Sequence, residues 1–155
     1  MNSIQKEYLN EFFVHVFNQI LSWEEKSFKD MGLEDITMRE LHVLEAASYL
    51  EKSKKNNMAS IAKFLSITPS SLTTSVNLLV NKGYLTRHRS EKDRRIVAIS
   101  LTDKGIRVNE LHNKFHSDMI DTVGSFIDDD ETNVLIEALK KISMFISDNR
   151  AVRRK

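Results

Sequence analysis

The stretch from Ser70 to Asn81 carries hydroxyls and carboxamides where a solvent-facing helix usually carries Glu and Lys. At about 100° per residue, Leu72, Val76 and Leu79 share one face. Ser70, Thr74, Asn77 and Asn81 fall opposite, with Ser71 and Thr73 beside them. Such groups hydrogen-bond phosphate oxygens and base edges in a major groove. A merely solvated Ser/Thr-rich face has the same composition, so the pattern alone leaves both readings open.

The segment that follows holds the densest basic spot. Between Arg87 and Arg95, five cations (Arg87, Arg89, Lys92, Arg94, Arg95) stand against Glu91 and Asp93, a net of +3 on a chain whose total is only +1. The run from Asp128 to Glu131 balances it elsewhere. Arginines at a loop tip suit a narrow minor groove, while their neighbours bind phosphate. Asp93 would repel phosphate, so its expected task is to pair with a loop arginine and hold the loop in shape. A solvated charged hairpin is the bland alternative. It leaves unexplained why the basic cluster follows directly on the polar helix.

A third constellation is imidazole. His112 and His116 stand four apart, hence on one helix face, and His42 can approach from an earlier helix. With a carboxylate such as Glu24 they form a donor set of the kind zinc takes. The expectation is a polar, structural set of histidines with no metal and no cofactor; zinc on His42, His112 and His116 is the alternative.

These groups need scaffolding, and the sequence predicts a mainly α chain with one small β-hairpin. One Pro and four Gly occur in 155 residues. Apolar residues recur at helical spacing from Ile4 to about Lys29 in a wide stripe, which needs either its own subunit's core or a second subunit to cover it. Met31 and Gly32 stop that helix, and Thr37 with Glu40 caps the next, running to about Glu51. Lys52 to Asn57 reads as a loop, and Met58 to Leu65 as a short helix. Thr68 and Pro69 open the polar helix, which Lys82 and Gly83 close. Two short helices joined by a tight turn are a helix-turn-helix. Tyr84 to Arg89 and Ile96 to Leu101 are β-prone, and Val97, Ile99 and Leu101 alternate with Ala98 and Ser100 as in a half-buried hairpin, so the basic loop is a wing. Thr102 and Asp103 cap a helix with Val108, Leu111, Phe115 and Met119 as its stripe, and a last helix follows the acidic run. The basic tail from Arg150 to Lys155 reads as a frayed end.

Composition excludes several classes. Without Cys there is no disulfide, thiolate metal site or thiol redox sensor, as in a reducing cytosol, and no apolar run is long enough to span a bilayer. A cytoplasmic location without membrane contact is expected. No Gly-rich phosphate loop, nucleophile elbow or zinc-protease motif occurs, so the chain does not read as an enzyme.

The stretch from Leu72 to Leu85, the wing from Arg89 to Arg95, and the run from Leu101 to Gly105 together resemble the MarR family over nearly the whole chain. That resemblance implies a winged helix-turn-helix repressor acting as a homodimer on double-stranded, pseudo-palindromic DNA. It implies a single domain over 1–155, with the DNA-binding part at 37–102 and a dimerisation layer of terminal helices at 1–30 and 103–149. DNA contacts would then fall on Ser70, Ser71, Thr73, Thr74, Asn77, Arg89, Lys92, Arg94 and Arg95. Within the family, the pieces Glu40 to His42, Arg89 to Glu91 with Asp93 to Arg95, and Leu111, His112, Phe115 and His116 look like repressors of fatty-acid biosynthesis genes. That branch uses a long acyl chain on acyl carrier protein as corepressor. Here Phe13, Phe17, His42, His112, Phe115 and His116 would line the ligand cleft, among Phe and Met side chains able to repack around a flexible chain. Another effector, zinc or a small aromatic compound, is one alternative. A winged helix used for protein contacts is a second, although the exposed face with Ser70, Thr74 and Asn77 lacks the apolar anchors such modules use.

Overall fold

The structure is a computed structural model describing residues 1–89 and 96–152, with side chains described as far as residue 146. Helices α1 (Ser3–Glu11) and α2 (Phe17–Asp30) flank a π-helical turn at Phe12–Val16; then come α3 (Met38–Glu51), α4 (Met58–Leu65), α5 (Pro69–Asn81), β1 (Leu85–Arg89), β2 (Val97–Leu101), α6 (Asp103–Gly124) and α7 (Asp129–Val152). The chain divides into two compact units, 1–113 and 114–155, with the boundary inside α6.

In the first unit the core is built where α3, α4, α5 and the hairpin meet. Leu41, Val43, Leu44, Ile61, Leu72, Val76, Leu79 and Ile99 are all fully buried or nearly so. Each contributes roughly 1.5 to 3 kcal/mol by leaving water. The helix ends follow their residues. Thr37 and Glu40 form a reciprocal capping box at α3, Asn57 caps α4 through Ser60 N–H at 3.0 Å, and Thr68 caps α5 through Ser71 N–H at 3.2 Å, with Pro69 at the first helical position. Between α4 and α5 the chain turns at Ser66 with φ 56°, a left-handed conformation that reverses direction in one residue. Gly83, with φ 77°, ends α5; Tyr84 N–H then reaches back to the Leu79 carbonyl at 2.8 Å.

The hairpin pairs Leu85 with Leu101 and Arg89 with Val97, antiparallel. Its burial does not alternate as expected: Ala98 and Ile99 are both buried and Val97 is exposed. The reason lies at the outer edge of β2. The segment Lys52 to Asn57, read as a loop, supplies Asn56 and Asn57 as an extra edge. Ile99 N–H donates to the Asn56 carbonyl at 2.8 Å, the Asn56 side chain donates to the Ile99 carbonyl at 2.7 Å, and Asn57 bridges Ala98. Asn56 is buried for that purpose.

Two further differences concern helices. The N-terminal stretch is not one regular α-helix, because Phe17 N–H bonds to the Phe12 carbonyl, five residues back, and shifts the apolar stripe at the π turn. Most of its apolar side chains stay in solvent: Ile4, Tyr8, Phe13, Phe17 and Trp23 are exposed, Val16 and Ile20 are half-buried, and only Glu24 and Phe28 of α2 are buried. In α6, Leu111 is exposed while Val108 and His112 are buried. His112 takes the inner position because a buried carboxylate, Glu24, meets it there at 2.7 Å.

The N-terminus of α6 is tied to the hairpin. Thr102 Oγ1 donates to the Gly83 carbonyl at 2.7 Å and accepts Gly105 N–H at 3.2 Å. Tyr84 donates to Asp35 at 2.7 Å under the Lys104 ammonium, 3.9 Å from its ring centre. That hydroxyl holds the Asp35 carboxyl below its ordinary value.

In the second unit, the acidic run has a structural use. Asp128 and Glu131 form a capping box at the start of α7, and Asp129, Asp130 and Glu131 lie in its first turn, where negative charge is favoured. Phe126, Val134, Leu139, Met144 and Phe145 are exposed.

Candidate nucleic-acid interface

Helix α5 presents its polar face as its periodicity requires. Leu72, Ser75, Val76 and Leu79 point inward, and Ser70, Ser71, Thr73, Thr74 and Asn77 are exposed. Most of these hydroxyls are already engaged. Thr73 donates to the Pro69 carbonyl at 2.8 Å and Thr74 to the Ser70 carbonyl at 3.2 Å, while Thr68, Ser70 and Ser71 form a hydroxyl cluster with separations of 2.9 and 3.1 Å. Back-bonding to the helix fixes each rotamer and leaves oxygen lone pairs outward. The face is therefore preorganised.

Asn77 is not an isolated amide. Arg87, projecting from β1, donates to its Oδ1 at 2.6 Å. This occupies one acceptor site on Asn77 and leaves its NH₂ for an outside acceptor, while the guanidinium keeps further donors for phosphate. Arg87 contributes to the sequence's basic spot, but only the register of β1 against α5 reveals it as Asn77's partner. Arg89 ends β1 in solvent. Lys92, Asp93, Arg94 and Arg95 lie outside the described residues.

The orientation of α5 is set from α3. Lys82, just past the end of α5, donates to both Glu40 oxygens at 2.8 and 2.9 Å. Burial would push the Glu40 carboxyl up, but the Lys82 bond, with the Thr37 amide and hydroxyl, outweighs it and holds the group below its ordinary value. One ion pair thus fastens the C-terminal end of α5 to the N-terminus of α3.

Glu24, His42 and His112 come together, with donor atoms within 4.8 Å of one another, and the Phe28 and His42 rings each lie 5.6 Å from the His112 ring. His116 belongs to the second unit, where its ring meets Phe115 edge-on at 5.6 Å. Phe13 and Phe17 sit on the surface of the N-terminal helical segment. Two donors on one zinc stand about 3.3 Å apart at tetrahedral zinc distances. The 2.7 Å separation of Glu24 and His112 is instead a hydrogen bond, so the donor set fits a metal only after that bond opens.

Residues 27–111 match the family described as "Transcriptional regulator SarA/Rot". The HTH-type regulator YpoP of Bacillus subtilis is 29% identical over 93 residues, covering 60% of this chain and 66% of YpoP, just under two thirds. The HTH-type transcriptional regulator SarZ of Staphylococcus haemolyticus is 28% identical over 108 residues, 70% of each chain. Among solved structures, Streptococcus pneumoniae FabT in complex with DNA superposes with a TM-score of 0.82 at 31% identity, covering 92% of this chain and 98% of FabT. A MarR mutant from E. coli superposes with a TM-score of 0.60 at 25% identity, covering 84% and 93%.

Proposed function

Since this chain belongs to the SarA/Rot family of transcriptional regulators and is a DNA-binding regulator of the winged-helix MarR type, we propose that it represses transcription as a homodimer, reading an inverted-repeat operator with α5 in the major groove. The observation that carries this is the exposed, uncharged face of α5, with Ser70, Ser71, Thr73, Thr74 and Asn77 held in fixed rotamers beside Arg87 and Arg89. Base contacts come from Thr74 and Asn77. Phosphate and minor-groove contacts come from Arg89, Lys92, Arg94 and Arg95, with Asp93 shaping the wing. The two-fold arrangement rests on the exposed apolar side chains of α1, α2 and α7, whose burial a second copy supplies. This makes 1–30 and 103–149 a dimerisation layer. No helix among the described residues is long and apolar enough to cross a membrane.

The effector in this reading is a long acyl chain delivered by acyl carrier protein, which tightens operator binding at fatty-acid biosynthesis genes. The supports are the sequence resemblance and the 31% identity to FabT along nearly its whole length. The chain would enter between Phe13, Phe17, His42, His112, Phe115 and His116. A ligand changes DNA affinity only through preference for one arrangement of the two reading helices. The group of buried Glu24 and His112 with half-buried His42 favours zinc as the second reading. Operator affinity is compared without effector, with acyl-loaded carrier protein and with zinc. A gain only with the acyl carrier is expected, a gain only with zinc transfers the role to the histidines, and no response to either removes both effectors.

A further inference from the structure

Beside the reading face of α5 lies an open notch of about 570 Å³, lined by Thr37, Arg39, Glu40, Ser71, Thr74, Ser75, Leu78 and Lys82. Its chemistry is decided by which groups are already spent. The capping box consumes the Thr37 amide, the Glu40 amide and the Glu40 carboxylate, and both Glu40 oxygens also hold Lys82. Glu40 is buried and neutralised there, so it does not repel an anion at the mouth. Arg39 is different: it is exposed, and its guanidinium makes no ion pair or hydrogen bond among the described residues. On the same notch, Ser71 accepts from the Thr68 hydroxyl at 2.9 Å and keeps its own proton to donate, whereas Thr74 has given its proton to the Ser70 carbonyl. A planar guanidinium and a donating Ser71 hydroxyl lining one solvent-open notch match a phosphate-type oxyanion.

We infer that this notch, with Arg39 as its cation, is a phosphate site, and that its occupant is a backbone phosphate of the duplex that α5 reads. This rests on the DNA-reading role of α5. Ser71 and Thr74 belong to the same helix as Ser70, Thr73 and Asn77, so a duplex docked on that face runs its backbone past the notch. Arg87 and Arg89 stand on the hairpin side of α5, whereas Arg39 stands on the α3 side. The reading helix is thereby bracketed by cations, and Arg39 sets register without reading sequence.

The test uses the full chain with a random-sequence 30-base-pair duplex titrated across salt, and separately with inorganic phosphate followed by NMR of the arginine side chains. The expected result is that Arg39→Ala lowers the slope of log affinity against log salt by about 0.9 for each engaged subunit, and that Arg39→Lys restores it. Saturable, Arg39-dependent phosphate binding with an unchanged duplex slope would overturn the backbone assignment in favour of a free oxyanion. Unchanged behaviour in both arms would overturn the site. If the wild-type chain bound no duplex at all, the DNA-reading role of α5 would fail, and with it the backbone assignment; the phosphate arm would still report on Arg39 by itself.

Discussion

Asn77 and Arg87 act as one unit, and the 2.6 Å bond between them makes a prediction about coupling. Asn77→Ala removes the amide that the proposed docking puts on base edges and releases the Arg87 guanidinium, so base preference should relax by roughly 1 to 3 kcal/mol for a bidentate contact. Arg87→Ala leaves the amide without its anchor and loses part of the same discrimination. Competition of operator against mutated operator, run on both single variants and the double, should show clear non-additivity. Strict additivity would mean that the pair does not work as a unit on DNA. At Glu40 the sign of the pH effect follows from its lowered carboxyl. A group that titrates lower in the folded than in the unfolded chain stabilises above its ordinary value near 4.5, and that stability is lost as pH falls through the folded value. Denaturant unfolding of Glu40→Gln should therefore lie below wild type at neutral pH and converge with it in acid.

Among the elements, the junction between α6 and the hairpin leaves no room for a side chain at Gly105. A Cβ added at Gly105 would overlap the Tyr84 carbonyl oxygen, a backbone atom that cannot swing aside. Gly105→Ala must push α6 off β1 or bend β1, at a cost of about 1 to 3 kcal/mol or more. Gly83 is the informative contrast, since nothing lies within 4 Å of its missing Cβ and only its φ of 77° opposes a side chain. Thermal unfolding should rank Gly105→Ala as more damaging than Gly83→Ala. The reverse order would show that the contact relaxes freely. Leu72 fixes the inner face of α5, and its replacement by Ala removes fully buried volume worth about 2 to 5 kcal/mol.

At the scale of the whole molecule, the exposed apolar surface of the terminal helices dominates. Ile4, Tyr8, Phe12, Phe13 and Phe17 near one end of the chain, and Val134, Leu139, Met144 and Phe145 near the other, would sit in water in a lone chain. Soluble monomers seldom leave so many large apolar side chains in water. Sedimentation at micromolar concentration should show a dimer, and the double variant Phe13→Glu with Phe17→Glu should shift it toward monomer and weaken operator binding in proportion. A wild-type monomer under those conditions would remove the dimer model and the inverted-repeat operator with it.

Much of this was legible in the residues themselves. The period of Leu72, Val76 and Leu79 set both faces of α5, and Thr37, Thr68, Pro69 and Gly83 marked helix ends, because capping and helical periodicity act within a few residues. Contacts between distant segments were not legible. Asn56 reads as loop composition until it closes the outer edge of β2, 43 residues away. Glu40 reads as a cap until Lys82 arrives from α5, and Arg87 as one charge among five until strand register aims it at Asn77. The spacing of Leu111 in α6 cannot show that the buried position belongs to His112, because that choice is made by Glu24, 88 residues earlier. Local patterns are dictated by backbone geometry and are written in every turn of the chain. Partners brought together by packing depend on where whole elements come to rest, and only the tertiary structure decides that.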